Sequence, residues 1–299
     1  MDHPPRLDLD AARLQFDRRA RRGLAEPFLA AEIDQAMLAR LEPVRLQPKR
    51  VLDAGCGVGT ALPGLARRFP GAELVGIDWA GSALDRARQR LAPPRLAWLA
   101  RWLSRTGRDG PQAGALLSQA DPHALPLAGN SVDLIWSRLM LHWHSPPAPL
   151  LAEWYRVIRP GGLLSFSCLA VDTLAELREL GAAIMPFPDM HDVGDALVAA
   201  GFAEPVLDTE RLTVTWRDPE SLIADLRALG GNALRERRRG LVTPRMRARW
   251  LDALSRALRR EDGLISISFE LIYGQAWCPA VKRLPDGLSP VRFVARRRG

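Results

Sequence analysis

The chain has 299 residues, 47% hydrophobic and 25% charged, enough for one large α/β domain with additions; no run of about eighteen apolar residues would span a bilayer. Three cysteines, Cys56, Cys168 and Cys278, are odd in number, widely spaced and without a C-x-x-C pair, so a disulfide framework and a zinc site are not expected and a reducing cytosol fits. The net charge of +8 raises an acidic or nucleic-acid partner, so its distribution matters.

The opening MDHPPRLDLD lacks a basic-then-apolar signal pattern, and a soluble, cytoplasmic protein is expected. Residues 9 to 22 predict a basic amphipathic helix, and EPFLAAEIDQAMLARLE, residues 26 to 42, a second one closed by Pro43 and Pro48. Both precede the first core strand, as an addition that can lie across the mouth of a site.

RVLDAGCGVG, residues 50 to 59, reads as a buried strand running into a glycine turn. Glycines let backbone N–H groups and a helix N-terminus approach a small polar ligand, with Asp53 as an anionic acceptor just before the turn. Gly55, Gly57 and Gly59 form G-x-G-x-G, whereas the dinucleotide pattern G-x-G-x-x-G would put a glycine at Thr60. A helix over 60 to 69 follows, then ELVGID, a second strand ending on Asp78. That acid lies nineteen positions past Gly59, the interval at which a βαβ unit places a carboxylate near a ribose diol; capping the next helix is a compatible role. Trp79 is placed to cover an adenine or to join the core.

Residues 93 to 117 predict an insertion with a short helix and a Gly/Pro-rich loop. Gln119 to Asp121 would end strand three, where Asp121 can accept from an amino group, and SVDLIWS gives strand four. A helix over 149 to 158, an R-P-G-G turn at 159 to 162 and the strand LLSFSCL come next. Helical pieces at 173 to 180 and 192 to 200, a strand at 206 to 216, a helical insert over 219 to 260 and a final strand at 265 to 277 complete the series before a basic tail. Seven arginines fall between Arg235 and Arg249 against the one acid Glu236, a basic face suited to solvent or an acidic partner.

The ordered set DAGCGVG, GID, QAD and R-P-G-G resembles the class I S-adenosylmethionine-dependent methyltransferases over residues 50 to 170. That resemblance implies an α/β Rossmann-like fold with a seven-stranded, mostly parallel sheet and an antiparallel last strand. It implies S-adenosyl-L-methionine as cofactor, with Asp53, Ala54, Gly55, Cys56, Gly57 and Gly59 at its amino-acid end. Asp78 falls at its ribose, and Ala120, Asp121 and Pro122 at its adenine, with Trp79 and Ser137 close by. The domain layout expected is an N-terminal helical cap (1–48), a methyltransferase core (49–217 and 263–278), a helical insert in the same domain (218–262) and a basic tail (279–299).

The C-terminal half, with DMHDVGDALVAAGFAEPVLD, RDPESLIADLRALGGNAL and FELIYGQAWCP, is similar to the malonyl-[acyl-carrier protein] O-methyltransferase branch, which also holds a complex I assembly factor. Many members carry a tyrosine after the F-x-R-A start; that place here is near Gly23 and holds none, and Arg138 stands where Asn is usual. The resemblance implies esterification of the free carboxylate of a malonyl thioester on an acidic acyl-carrier protein, early in biotin synthesis. A hydroxylase-like protein-modification or assembly role in the same branch is the alternative, and nucleic-acid methylation a weaker one resting on charge alone. No N-P-P-Y segment follows strand four, which argues against methylation of a base amine.

A carboxylate acceptor needs no general base, so positioning groups are expected instead. His142 and Trp143, after strand four, are candidates to line the acceptor pocket, and Arg18 or Arg19 to hold its carboxylate bidentately; each is equally a packed or solvated residue. The pair His142 and His144 without a third ligand is a poor metal site, and none is expected. Cys56 reads as a small residue that fits. Arg235, Arg237, Arg238 and Arg239 are the proposed docking arginines for the carrier protein.

Overall fold

The computed structural model describes residues 7–23, 28–92, 114–235 and 243–280. Seven strands form one sheet in the order β3-β2-β1-β4-β5-β7-β6: β1 Arg50–Ala54, β2 Glu73–Asp78, β3 Ala115–Gln119, β4 Val132–Arg138, β5 Ile158–Leu169, β6 Ala203–Trp216 and β7 Ile265–Trp277. The first five run parallel, and β7 lies antiparallel between β5 and β6. The expected sheet is present, and the switch in strand order falls between β1 and β4, where the chain leaves a crevice at the strand ends.

Central strands are buried on both faces, which explains their near-continuous apolar sequences. Successive residues serve opposite layers. Val51, Leu134 and Trp136 pack with helices α2 (Ala30–Arg40) and α3 (Leu62–Arg68), while Leu52 and Ile135 pack with α5 (Ala148–Val157) and α7 (Met190–Ala199). The edge strand β6 alternates half-buried and exposed positions instead.

Helix α1 spans Leu9–Arg22, as its periodicity predicts; the Asp8 side chain accepts from the Ala11 N–H at its start and Gly23 ends it in the left-handed region at φ 66°. Helix α2 begins at Ala30, later than the predicted residue 26, after a start at Leu29 with no side-chain cap. The predicted insertion at 93 to 117 lies outside the described residues up to 113, and its last three residues belong to β3. Helix α4 occupies Gly81–Leu91, α6 Ala175–Glu179, α8 Pro219–Ala228 and α9 Pro244–Leu258.

The R-P-G-G segment corrects the predicted turn. Helix α5 passes directly into β5 at Ile158, and Arg159 to Gly162 form an irregularity inside the strand, between the pairs Val132↔Ile158 and Leu134↔Leu163. Gly161, at φ 78°, donates to the Cys278 carbonyl and Cys278 donates back to Gly162, so the extra residues remain hydrogen-bonded. A Cβ on Gly162 would stand 2.9 Å from the Asp133 carbonyl, which only glycine avoids.

Candidate active site

The crevice beyond the ends of β1 and β4 opens into a cavity walled by the glycine turn, Asp78, Trp79, Ala120, Pro122, Arg138 to Met140, Trp143 and His144, and covered by α1. Its floor is knitted from β1 to β2: the N–H groups of Gly55 and Cys56 both donate to the Ile77 carbonyl, at 2.8 and 3.1 Å. Gly55, Gly57 and Gly59 all have positive φ (79°, 53° and 75°), so the turn is closed to other residues at low cost. A Cβ on Gly57 would meet nothing within 4 Å, leaving its backbone open to the cavity, while one on Gly59 would lie 3.1 Å from Ala87 of α4.

Asp78 ties the floor together. Its Oδ2 accepts from the Gly57 N–H and its Oδ1 from the Ala80 N–H, both at 2.8 Å. The two oxygens together offer about four acceptor sites, so capacity remains for a ribose hydroxyl. Burial raises the carboxyl pKa above 3.8, opposed by backbone hydrogen bonds from Ala80, Gly57 and Trp79.

Behind this wall stand residues that shape it without lining it. Asp53 is buried; Ser137 donates its Oγ to the Ala54 carbonyl at 2.9 Å, fixing the tip of β4 to that of β1. Cys56 packs beneath the turn, with its thiol pKa pushed well up by burial first and then by Asp53 and Asp78, so it is an inert thiol. Asp121 differs from expectation: its side chain is 66% exposed and accepts from the N–H and ring of His123, at 2.8 and 3.2 Å. Ala120 and Pro122, on either side, do line the cavity.

The roof comes from distant sequence. Phe16 packs edge-on against Trp143 at 5.2 Å and faces Trp79 at 6.3 Å. Helix α1 is held down on α4, where the Ser82 N–H donates to Asp17 and Arg21 donates to the Ser82 Oγ, each at 3.0 Å. At its other end the Asp8 N–H donates to the Ala233 carbonyl at 2.7 Å. Arg19 lines the cavity, its pKa lowered by burial, whereas Arg18 is exposed and does not line it. The structure thus separates two arginines that sequence treats alike.

Trp143 lines the cavity but His142 does not. His142 is buried behind it with a pKa lowered to about 3, set by burial and then by His144. Among the cavity residues given no site role by the sequence are Phe16, Arg138, Met140 and His144. Arg138 donates to Asp34 of α2 at 2.9 Å and to the Thr60 hydroxyl at 3.1 Å. Its replacement of the usual Asn was the one visible signal. Leu139 adopts φ 53°, an uncommon state for a branched residue, and directs the chain from β4 into the cavity wall.

Comparison with known proteins accords with this geometry. A methyltransferase-domain profile matches residues 52–166. The malonyl-[acyl-carrier protein] O-methyltransferase of Laribacter hongkongensis is 39% identical over 296 residues, spanning 96% of each chain. The chain belongs to the malonyl-[acyl-carrier protein] O-methyltransferase family. It is an S-adenosylmethionine-dependent methyltransferase. Among solved structures, the YcgJ protein of Bacillus subtilis superimposes with a TM-score of 0.54 at 14% identity, covering 82% of this chain and 98% of that one. A Haemonchus contortus phosphoethanolamine N-methyltransferase in complex with S-adenosyl-L-methionine does so with a TM-score of 0.51 at 17% identity, covering 91% of this chain and 56% of that one. Those two likenesses concern the fold. Among the described residues no helix is long and apolar enough to cross a membrane.

Proposed function

We propose that this methyltransferase esterifies the free carboxylate of a malonyl thioester carried on acyl-carrier protein, an early step of biotin synthesis in the cytoplasm. The observation that carries the reading is similarity running through 96% of both chains, including the covering helix and the insert as well as the cofactor core. The cavity fits the cofactor: an open Gly57 backbone beside a two-oxygen acceptor at Asp78, with indole and alkyl walls. In this reading the glycine turn holds the amino-acid end, Asp78 the ribose and Trp79, Ala120 and Pro122 the base, while Asp53, Cys56, Gly59 and Ser137 support them.

Bound S-adenosylmethionine supplies an already activated methyl group on a cationic sulfur. The acceptor carboxylate is ionised at neutral pH, so the protein has no proton to remove. Arg19, on the cavity roof, pairs with that carboxylate and turns one oxygen toward the donor. Phe16 and Trp143 close over the site and exclude water. Alignment and desolvation then supply most of the rate.

The carrier protein approaches the basic insert. Arg235, Arg245, Arg247 and Arg249 are exposed, and Trp250 beside them is 43% exposed; Arg237, Arg238 and Arg239 lie outside the described residues. Charge of this sign sets encounter rate and partner choice. Residues 1–48 act as the cap, 49–217 with 263–278 as the catalytic core, 218–262 as the docking insert and 279–299 as a basic tail. Initial rates of methyl transfer to malonyl and to acetyl carrier protein test the function. Turnover confined to the malonyl form is expected, and equal rates, or none, overturn it.

A further inference from the structure

His144 follows the short 3-10 turn Leu141–Trp143 after β4 and lines the cavity, yet it is only 4% exposed. Its Nδ1 is buried with no hydrogen-bond partner among the described residues. Buried polar atoms are nearly always partnered, so an orphaned nitrogen on a cavity wall calls for a ligand. Its surroundings locate that ligand. The imidazole stacks edge-on against His123 at 4.6 Å and tilts against Trp79 at 5.7 Å. Trp79 follows β2 and His123 follows β3, so His144 stands on the side of the cavity formed by the ends of those two strands.

That side receives the nucleoside base if the cavity holds the cofactor as proposed above, and the inference rests on that reading. Asp121, which sequence offers as partner for the base's amino group, points to solvent and is engaged by His123. His144 remains as a polar group on the wall. Burial and His123 hold the imidazole neutral, with a pKa lowered to about 3, so it presents one donor and one acceptor nitrogen.

We propose that His144 reads the adenine of the cofactor, its unpartnered ring nitrogen accepting a hydrogen bond from the exocyclic amino group. With the ring proton on Nε2, a base carrying a carbonyl in that place sets two acceptors against each other and has to shift the proton to Nδ1, so His144 is a specificity-determining residue for the nucleoside.

Calorimetric titration of S-adenosylhomocysteine and of its 6-oxo (inosine) counterpart against the full chain and the variants H144F and H144N tests this. The natural protein should prefer the adenine compound by about tenfold. H144F should lose about tenfold in affinity for that compound and little for the 6-oxo one, so the preference falls to within about twofold. H144N, which keeps an acceptor oxygen, should retain part of the preference, and H144A gives the same reading as H144F if the larger ring does not fold. Equal weakening of both compounds in H144F, or an undiminished preference, overturns the inference, as does a natural protein that binds both compounds equally. A natural protein that binds neither overturns the cofactor reading itself.

Discussion

The Gly57 N–H donates to the Asp78 Oδ2 at 2.8 Å, joining the middle of the glycine turn to the carboxylate that ends β2. This bond sets the two halves of the cofactor wall at a fixed separation, and the second oxygen is fixed by Ala80. Replacing Asp78 by Ala removes the diol acceptor and frees Gly57. Affinity for S-adenosylhomocysteine should fall by about tenfold to a hundredfold, measured by calorimetry. D78N keeps the shape and should fall between the two.

Arg19 and Arg18 provide an internal control. Arg19 lines the cavity and Arg18 does not. R19M should raise KM for the malonyl thioester by at least about tenfold, as expected for loss of a charge-assisted hydrogen bond, with cofactor affinity little changed. R18M should leave both within about twofold. Equal effects of the two substitutions would remove Arg19 from the acceptor site.

Gly230 lies at φ 120°, and a Cβ there would stand 2.4 Å from the Trp143 ring and 2.9 Å from Phe16. G230A should therefore push the roof apart. A stability loss of about 1–3 kcal/mol in denaturant unfolding is expected, together with a raised KM. Unaltered kinetics would show that the Phe16–Trp143 contact is dispensable for closure.

Arg138 pairs with Asp34 at 2.9 Å with both side chains mostly buried (14% and 16% exposed), which couples β4 to α2 and, through Thr60, to the glycine turn. R138M and D34N should each destabilise by about 1–3 kcal/mol, and the double variant by less than their sum. Additive losses would show that the pair is not coupled.

Asp17 fastens α1 to α4, and the Ser82 N–H holds its carboxyl below the ordinary 3.8. A lowered folded-state pKa gives a stabilising contribution that is complete above pH 3.8 and is lost as pH falls through the folded value. Acidification below about pH 4 should loosen α1 and change the fluorescence of Trp79 and Trp143, and D17N should show that change already at neutral pH.

The fold was legible because its carriers are local. Short apolar runs ending in Gly55 or Asp78 announce a strand and the turn that must follow, and the first two core strands fall where those runs place them. R-P-G-G was misread because proline and paired glycines signal a turn in isolation. The return hydrogen bond from Cys278 that absorbs them into β5 comes from more than a hundred residues away. The cavity was half legible for the same reason. Glycines and Asp78 declare themselves by spacing, whereas Phe16 reaches the site only because α1 docks on α4, and His144 matters only because burial leaves its nitrogen orphaned. Asp121 shows the converse, a residue at the expected place in sequence whose side chain turns toward His123.

The intact mass of malonyl acyl-carrier protein after incubation with this methyltransferase and S-adenosylmethionine decides whether the malonyl carboxylate is the methyl acceptor. A gain of one methyl group on the carrier-bound malonyl unit, lost together with that unit when hydroxylamine cleaves the thioester, is predicted. A carrier of unchanged mass, or a methyl group found on the protein portion of the carrier, would contradict it.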